Sequence, residues 1–498
     1  MTDIPQHPTT AHLLSYGAYV PYHRLARADI GAALGDPGGR GQRTVASYDE
    51  DTTSMGVESA RIALRDAARG LAGPVKPQRV YFATAAPPYR DKTNADVIHA
   101  ALGLDVSALA VDMAGSVRSG VGAVVAALDS AQPTLVVLSD IRTGLPGSSD
   151  ETEGGDGSAA LLFGGPDDGP ALADVLAVAS STAEFLDRWR GADEQSSHVW
   201  EERFSEHAYG PHAQAAFADA LKKAGLTAEG IDRLVVAGLS GRATRQFAAR
   251  SGAKADAVVD NLSATVGNTG TAQPGILLAD TLDRATPGTT IALVTLADGA
   301  TAMILRTTEA LRDHRPSLSV SDQIALGSGA LPYTTFLTWR DMLRREPPRR
   351  PDPAPPAAPP SHRRADYKFG FVGSRCIECD TLHLPPSRAC ANCHAIDRMI
   401  PAPMSEADGR VRTLTVDHLV FTPQPPAVLA VIDFDGGGRF RCQLTDVDPS
   451  TVAVGDRVEM TFRKVLTADG IHNYFWKARP VRRGDDQDQG KPRKARGD

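Results

Sequence analysis

Four cysteines stand as Cys376-x2-Cys379-x10-Cys390-x2-Cys393 in the stretch "CIECDTLHLPPSRACANC". Each CxxC knuckle aims two thiolates at one ion, and two knuckles complete a tetrahedral shell. Four sulfur ligands with no sign of a redox cluster favour Zn2+. A shell filled entirely by protein leaves no open position, so the expected site is structural. The alternative, a redox dithiol pair, lacks its usual βαβ context. His383 and His394 are read as surface residues. Cys442 is the fifth cysteine, and none precedes Cys376. This is no disulfide framework, and the long N-terminal part has no thiol nucleophile.

The stretch "VDMAGSVRSGVGAVVAAL", residues 111–128, reads as a strand end, a tight turn and an amphipathic helix. Many acyl-transfer enzymes set their nucleophile at such a turn. Here it offers Ser116, Val117, Arg118 and Ser119. No base is visibly paired with either serine, and a serine at this place is commonly an N-cap. Arg118 suits a phosphate or carboxylate, or more simply an ion pair. Acid/base side chains occur at Tyr89 in "APPYRDK" and at His207, Tyr209 and His212 in "SEHAYGPHA". The plainer reading of each is a partly buried polar loop residue. The acids of "DEDTTSMGVESA" sit near a helix start, where the helix dipole favours them structurally. "GGDGSAALLFGG" lacks the Lys-Ser/Thr of a phosphate loop.

Elements must position these groups. Strands are expected in "RVYFATA" (79–85), "ALAVDM" (108–113), "TLVVLSD" (134–140), "SAALLFG" (158–164), "RLVVAGL" (233–239), "TIALVTL" (290–296) and "TAMILR" (301–306). Helical patterns such as "MGVESARIALRDAARGL" and "HAQAAFADALKKAG" lie between them. The alternation predicts an α/β fold with sheets buried between helical layers. The segment from Ala110 resembles that from Val258, and "DGSAALLF" resembles "DGATAMIL". The two matches keep nearly one phase, so two related halves are expected. A helical connector, "LPYTTFLTWRDMLRREPPRR", precedes the proline-rich "PDPAPPAAPPSHRR", read as a semi-rigid spacer. After the cysteines, four strand patterns with turn glycines suggest a small closed β-barrel of OB type. Such barrels often bind nucleic acid, but no basic-aromatic face is evident, so an acyl ligand or a partner is expected.

The expected units are 11–165 and 166–345 for the two halves, a 346–364 linker, a 365–400 zinc ribbon and a 401–481 barrel. Residues 1–10 and 482–498 are expected to be loose tails. The 498 residues exceed one core. The net charge of -7 argues against a general nucleic-acid binder. No apolar run approaches the roughly 20 residues of a membrane span, and the first residues show no secretory pattern, so the cytoplasm is the expected compartment.

Several segments together are recognisable: "LLSYGAYVPYHRL", "SYDEDTTSMGVESARIAL", "ERFSEHAYGPHAQAAFADALKKAGL" and "VGNTGTAQPGILLADTLDRATPGTTIALVTLADGA". Over residues 11–345 the chain resembles the archaeal and bacterial 3-hydroxy-3-methylglutaryl-CoA synthases. The resemblance implies the thiolase fold, two related α/β halves in an α-β-α-β-α arrangement, and a homodimer formed through that domain. Residues 346–481 resemble the rubredoxin-like zinc ribbon plus OB-fold family that associates with thiolase-type proteins.

The synthases use a glutamate, a cysteine and a histidine, which the resemblance places at Ala85, Val117 and Gly238. Asn268 in "VGNTGTA" matches an asparagine that polarises a thioester carbonyl. Gly267, Val117 and Gly299 are then expected to approach a CoA thioester through their backbones. An oxyanion site needs no covalent nucleophile. Aldol or retro-aldol chemistry on a β-hydroxyacyl-CoA is therefore expected, with Asn268, Tyr89, His207 and Tyr209 as candidate catalytic groups. The alternatives are a non-catalytic acyl-CoA-binding scaffold and a hydroxymethylglutaryl-CoA synthase-type acyltransferase.

Overall fold

The computed structural model describes residues 11–70, 75–329, 331–347, 349 and 353–482. The expected loose tails at 1–10 and 482–498 lie outside the described residues except for Arg482, which is not loose: it is buried and pairs with Asp446 at 2.9 Å. The first half contributes β1 (His12–Tyr19), α1 (Thr52–Gly70), β2 (Arg79–Thr84), β3 (Leu109–Ala114), α2 (Val117–Leu128), β4 (Thr134–Asp140) and β5 (Gly157–Gly164). The second contributes β6 (Ala173–Thr182), α3 (Glu202–Ala224), β7 (Arg233–Gly238), α4 (Gln273–Leu282), β8 (Thr290–Leu296) and β9 (Gly299–Thr307).

The strands run in the order β7-β8-β9-β6-β1-β5-β4-β2-β3. Each half therefore repeats one topology, and the strands of the two halves join through one antiparallel register pair, Leu13 with Ala173. The repeat is incomplete in one respect. Where the first half has β3, the second has only a bridge between Leu234 and Val258.

Side-chain alternation explains the layers. Tyr81 and Ala83 of β2 face a central core with α2 and α4. Val80 and Phe82 face the opposite way, toward α1. On α1, Val57, Ala60, Ala63 and Ala67 recur at helical spacing and cover the first half's outer face. α3 does the same for the second half through Ala213, Phe217 and Ala220. The result is helix, sheet, helix pair, sheet, helix. Gly17 is required here, because a Cβ on it would lie 2.5 Å from the Ser59 carbonyl oxygen of α1. Of the nine strands in this order, two escaped the sequence reading, β1 and β6. β1 is buried on both faces, so it carries no polar alternation.

The connector forms a helix only over Tyr333–Trp339, and part of the proline-rich stretch is itself helical, Ala358–Arg363, with proline in its first turn. The ribbon pairs Val372–Cys376 with both Leu382–His383 and Met399–Pro403. A closed barrel follows, made of β10 (Gly409–Asp417), β11 (Ala427–Phe434), β12 (Arg439–Leu444), β13 (Arg457–Ala468) and β14 (Ile471–Pro480).

The barrel packs on α1, which is buried along most of its length as a result. The polar face of α1 is paired rather than solvated. Glu58 Oε1 accepts from Phe462 N at 3.0 Å, and Arg61 donates to the Met460 carbonyl at 2.8 Å. Among the described residues no helix is long and apolar enough to cross a membrane.

Candidate functional site

Strand ends create one of the two larger cavities. β2 ends at Thr84, the turn from β3 to α2 holds Gly115, Ser116 and Val117, and β7 ends before Leu239. Ala85, these turn residues, Leu239 and the β8–β9 turn at Leu296–Asp298 line one cavity of about 580 Å3. Its roof is the segment from Asp187 to Ser197, held as a short hairpin by Arg188–Trp189 pairing with His198–Val199.

α2 begins at Val117, and the Ser116 hydroxyl makes no capping bond. The first-turn N–H groups of a helix have no intrahelical partner, so this turn presents donors and a positive dipole end beside the cavity. Arg118 is not a free cation. It donates to the carbonyls of Ala297 (2.7 Å) and Asp298 (2.9 Å) and to Thr182 Oγ1 (2.6 Å), fixing the opposite turn. Ser119 Oγ donates to the Ala114 carbonyl at 3.3 Å.

The sequence candidates separate in space. Tyr209 lines the cavity and is 6% exposed. Burial pushes its phenol well above the ordinary tyrosine value, and the negative charges of Asp187 and Asp298 push it further. Asp187 lies beside it, and burial raises its carboxyl despite the phenol hydrogen bond from Tyr209. Phe185 packs edge-on against the Tyr209 ring at 4.8 Å. His207 is exposed on α3 and does not line the cavity. His212 Nδ1 lies 2.8 Å from Ser181 Oγ.

Asn268 does not line the cavity either. Its amide donates to the Gly238 carbonyl at 2.7 Å and its Oδ1 accepts from Gly270 N at 3.0 Å. Gly267 has φ +88°, and a Cβ there would meet the Gly154 carbonyl at 2.3 Å, so it serves a close backbone approach. Gly299 closes the turn after Asp298. Tyr89 faces the barrel, where its hydroxyl accepts from His472 N at 2.7 Å.

Functional residues absent from the sequence reading come mostly from loops. Arg142, Arg188, Arg190 and Arg340 line the cavity with Asp187. Arg142 and Arg188 both grip Asp150, at 2.8 and 2.6 Å. Arg340 pairs with buried Asp156, and Arg190 donates to the Ala85 carbonyl. The segment "DRWRGADE" carried a readable signal, two arginines flanking a tryptophan. Beneath the cavity Asp140 Oδ2 accepts from both Thr271 N and Thr271 Oγ1 at 3.0 Å, and burial raises its carboxyl.

The cysteines form a separate site. All four sulfurs lie within 4.8 Å of one another. Cys376 and Cys393 are 3.7 Å apart, and Cys379 and Cys390 3.5 Å. Tetrahedral zinc with bonds of about 2.3 Å needs sulfurs about 3.8 Å apart, so the residues fit the ion. Backbone N–H groups of Asn392 and Cys393 point at the Cys390 sulfur from 3.4 and 3.5 Å, which favours thiolate ligands.

Known proteins share these parts. The model of the 3-oxoacyl-[acyl-carrier-protein] synthase III C-terminal domain matches residues 221–307. The ChsH2 rubredoxin-like zinc ribbon matches 368–396 and the ChsH2 C-terminal OB-fold domain 402–463. The hydroxymethylglutaryl-CoA synthase of Aeropyrum pernix is 30% identical over 328 residues, 62% of this chain and 88% of that protein. That of Methanothermobacter thermautotrophicus is 26% identical, covering 67% and 99%.

A crystal structure of HMG-CoA synthase complexed with CoA superposes with a TM-score of 0.55 at 18% identity, covering 66% of this chain and 89% of that one. OleA of Xanthomonas campestris gives 0.53 at 19%, covering 60% and 98%. The chain is thus a thiolase-type α/β protein extended by a zinc ribbon and an OB-fold barrel, the architecture expected from the sequence. It belongs to the hydroxymethylglutaryl-CoA synthase-like family, whose theme is the handling of acyl-CoA.

Proposed function

We propose that the protein cleaves or forms a carbon–carbon bond in a β-hydroxyacyl-CoA by aldol chemistry, without a covalent enzyme intermediate. One observation carries the reading. The cavity is lined by Ala85 and Val117, two of the positions that the resemblance assigns to the family's reacting groups, and among the described residues its lining has no cysteine or histidine, yet it holds the Tyr209–Asp187 pair.

In the cleavage direction the Asp187 carboxylate takes the proton of the β-hydroxyl. The Cα–Cβ bond breaks, and its electrons pass into the thioester as an enolate. An aldehyde or ketone leaves. Asp187 then returns the proton to Cα, so the step needs no co-reactant. Tyr209, kept neutral by burial, orients the Asp187 carboxylate through its hydrogen bond. The N–H groups at the Val117 turn are suited to the enolate oxygen, a kind of stabilisation worth about 3–4 kcal/mol per donor where tested. Arg190, at the mouth, suits an anionic part of the ligand. Zinc at the four cysteines supplies structural cross-linking, and the thiolase-like domain forms a homodimer.

A second reading, an acyl-CoA-binding scaffold, is favoured by the same lack of thiol and imidazole in the lining. The test incubates zinc-loaded full-length protein with acyl-CoA and β-hydroxyacyl-CoA thioesters, with small molecules and intact protein followed by mass spectrometry. A shortened acyl-CoA plus a released carbonyl compound, with no protein adduct, is expected. An acyl adduct would instead favour a synthase-type acyltransferase. Tight CoA binding without conversion would favour the scaffold.

A further inference from the structure

The cavity rim at Ala85–Arg90 supplies Ala85, Ala86, Pro87 and Arg90 to the lining. Its ends are held within the first half. Ala86 N donates to Thr84 Oγ1 at 3.0 Å, and Thr52 Oγ1 donates to the Ala86 carbonyl at 3.0 Å. Beyond the rim, Asn94 exchanges bonds with Tyr89 N (3.1 Å) and the Tyr89 carbonyl (2.9 Å). Between these anchors stand Pro87 and Pro88, which have no N–H to donate.

The middle is met by the barrel instead. His472 N donates to the Tyr89 hydroxyl at 2.7 Å, and the two rings lie 4.6 Å apart. His472 Nε2 is 3.4 Å from the Pro88 carbonyl.

The barrel sequence explains why His472 is there. "TADGIH" makes a two-residue hairpin in which Ala468 pairs with Ile471 and Thr467 with His472. Asp469 and Gly470 both have positive φ, +49° and +73°, the pattern of the tight turn that matches strand twist. Thr467 Oγ1 lies 2.8 Å from His472 Nδ1 and holds the ring. Two residues on, and so on the same strand face, Tyr474 donates to Asp51 Oδ2 at 2.7 Å. Asp51 immediately precedes Thr52, the residue that holds Ala86. The rim is therefore clasped between α1 and the barrel hairpin.

We propose that Tyr89 and His472 are positioning residues, through which the OB barrel fixes the cavity rim for thioester binding. The ligand named here rests on the acyl-CoA reading above; the clasp itself does not.

The test compares full-length zinc-loaded wild type with Tyr89→Phe, which removes one oxygen, and with His472→Ala. Hydrogen exchange is followed over residues 84–94, acetyl-CoA binding by calorimetry, and kcat and KM on any thioester turned over. Expected in both variants is rim exchange faster by about tenfold, against unchanged exchange in the central sheet. Acetyl-CoA binding should weaken about tenfold, with kcat held within about threefold.

Unchanged rim exchange overturns the proposal, as does a loosened rim with unchanged acetyl-CoA affinity. A large loss of kcat in Tyr89→Phe with a rigid rim would make Tyr89 a catalytic group and overturn it too. If wild type binds no acetyl-CoA, the acyl-CoA reading falls, and rim exchange alone decides the clasp.

Discussion

Tyr209 and Asp187 act as a unit: the Asp187 charge disfavours the tyrosinate, while the phenol's hydrogen bond stabilises the Asp187 carboxylate. Removing the phenol hydroxyl by Tyr209→Phe should lower turnover by about 100-fold, within the range of positioned acid/base groups, with acyl-CoA affinity nearly unchanged. Steady-state kinetics beside calorimetry checks the split. Burial raises the Asp187 carboxyl from its ordinary 3.8. The ascending limb of the pH–rate profile should therefore lie above the ordinary aspartate value, and Asp187→Asn should remove it. Tyr209 was readable because it falls in a segment resembling known relatives. Asp187 was not, since it stands before α3 on the roof, and only folding brings the two together. Asn268 shows the opposite outcome, a legible motif whose side chain is spent on the Gly238 carbonyl.

Asp150 ties the roof hairpin to the first half through Arg188. Burial raises the Asp150 carboxyl, but Arg142 and Arg188 outweigh it and hold the group at about 2. A folded value below the unfolded 3.8 means that the tie stabilises the protein above pH 3.8. That contribution is lost as pH falls through about 2. Trp189 sits on the hairpin, so its fluorescence should report release of the roof over that window, and Asp150→Asn should show a released roof at neutral pH.

The ribbon is the second small element with one dominant support. Stripping zinc with a chelator should unfold residues around 368–396 and loosen Phe371, which packs 5.0 Å from Phe440 inside the barrel. Circular dichroism with a thermal scan checks this, with zinc addition restoring the signal. At this scale the sequence was most informative. Alternating strand and helix patterns and the cysteine spacing are local properties. The missing fifth strand of the second half was not legible, because it depends on whether Val258 finds more than one partner.

Across the whole molecule, the barrel is joined to the first half by buried charge rather than by apolar surface alone. Arg463 is fully buried and reaches Glu50 at 2.7 Å, Asp446 at 2.6 Å and Asp49 at 3.4 Å. Lys477 adds a second contact to Asp49 at 2.7 Å. Arg463→Met leaves three carboxylates without their common partner. It should cost about 3–5 kcal/mol in denaturant unfolding, as expected when one member of a buried ion pair is removed. The acids of "SYDED" looked like helix-start decoration, since no sequence pattern shows that a segment over four hundred residues away supplies their cations.

The proline-containing connection between Leu343 and Ala365 has a further consequence for assembly. Because barrel and thiolase-like domain share one polypeptide, their encounter is a first-order event with a fixed local concentration, about millimolar for short tethers. The complex cannot be diluted apart, and its two components are always made in equal number. The same pair built from separate chains would come apart at low abundance, whereas the fused pair holds at any level of expression.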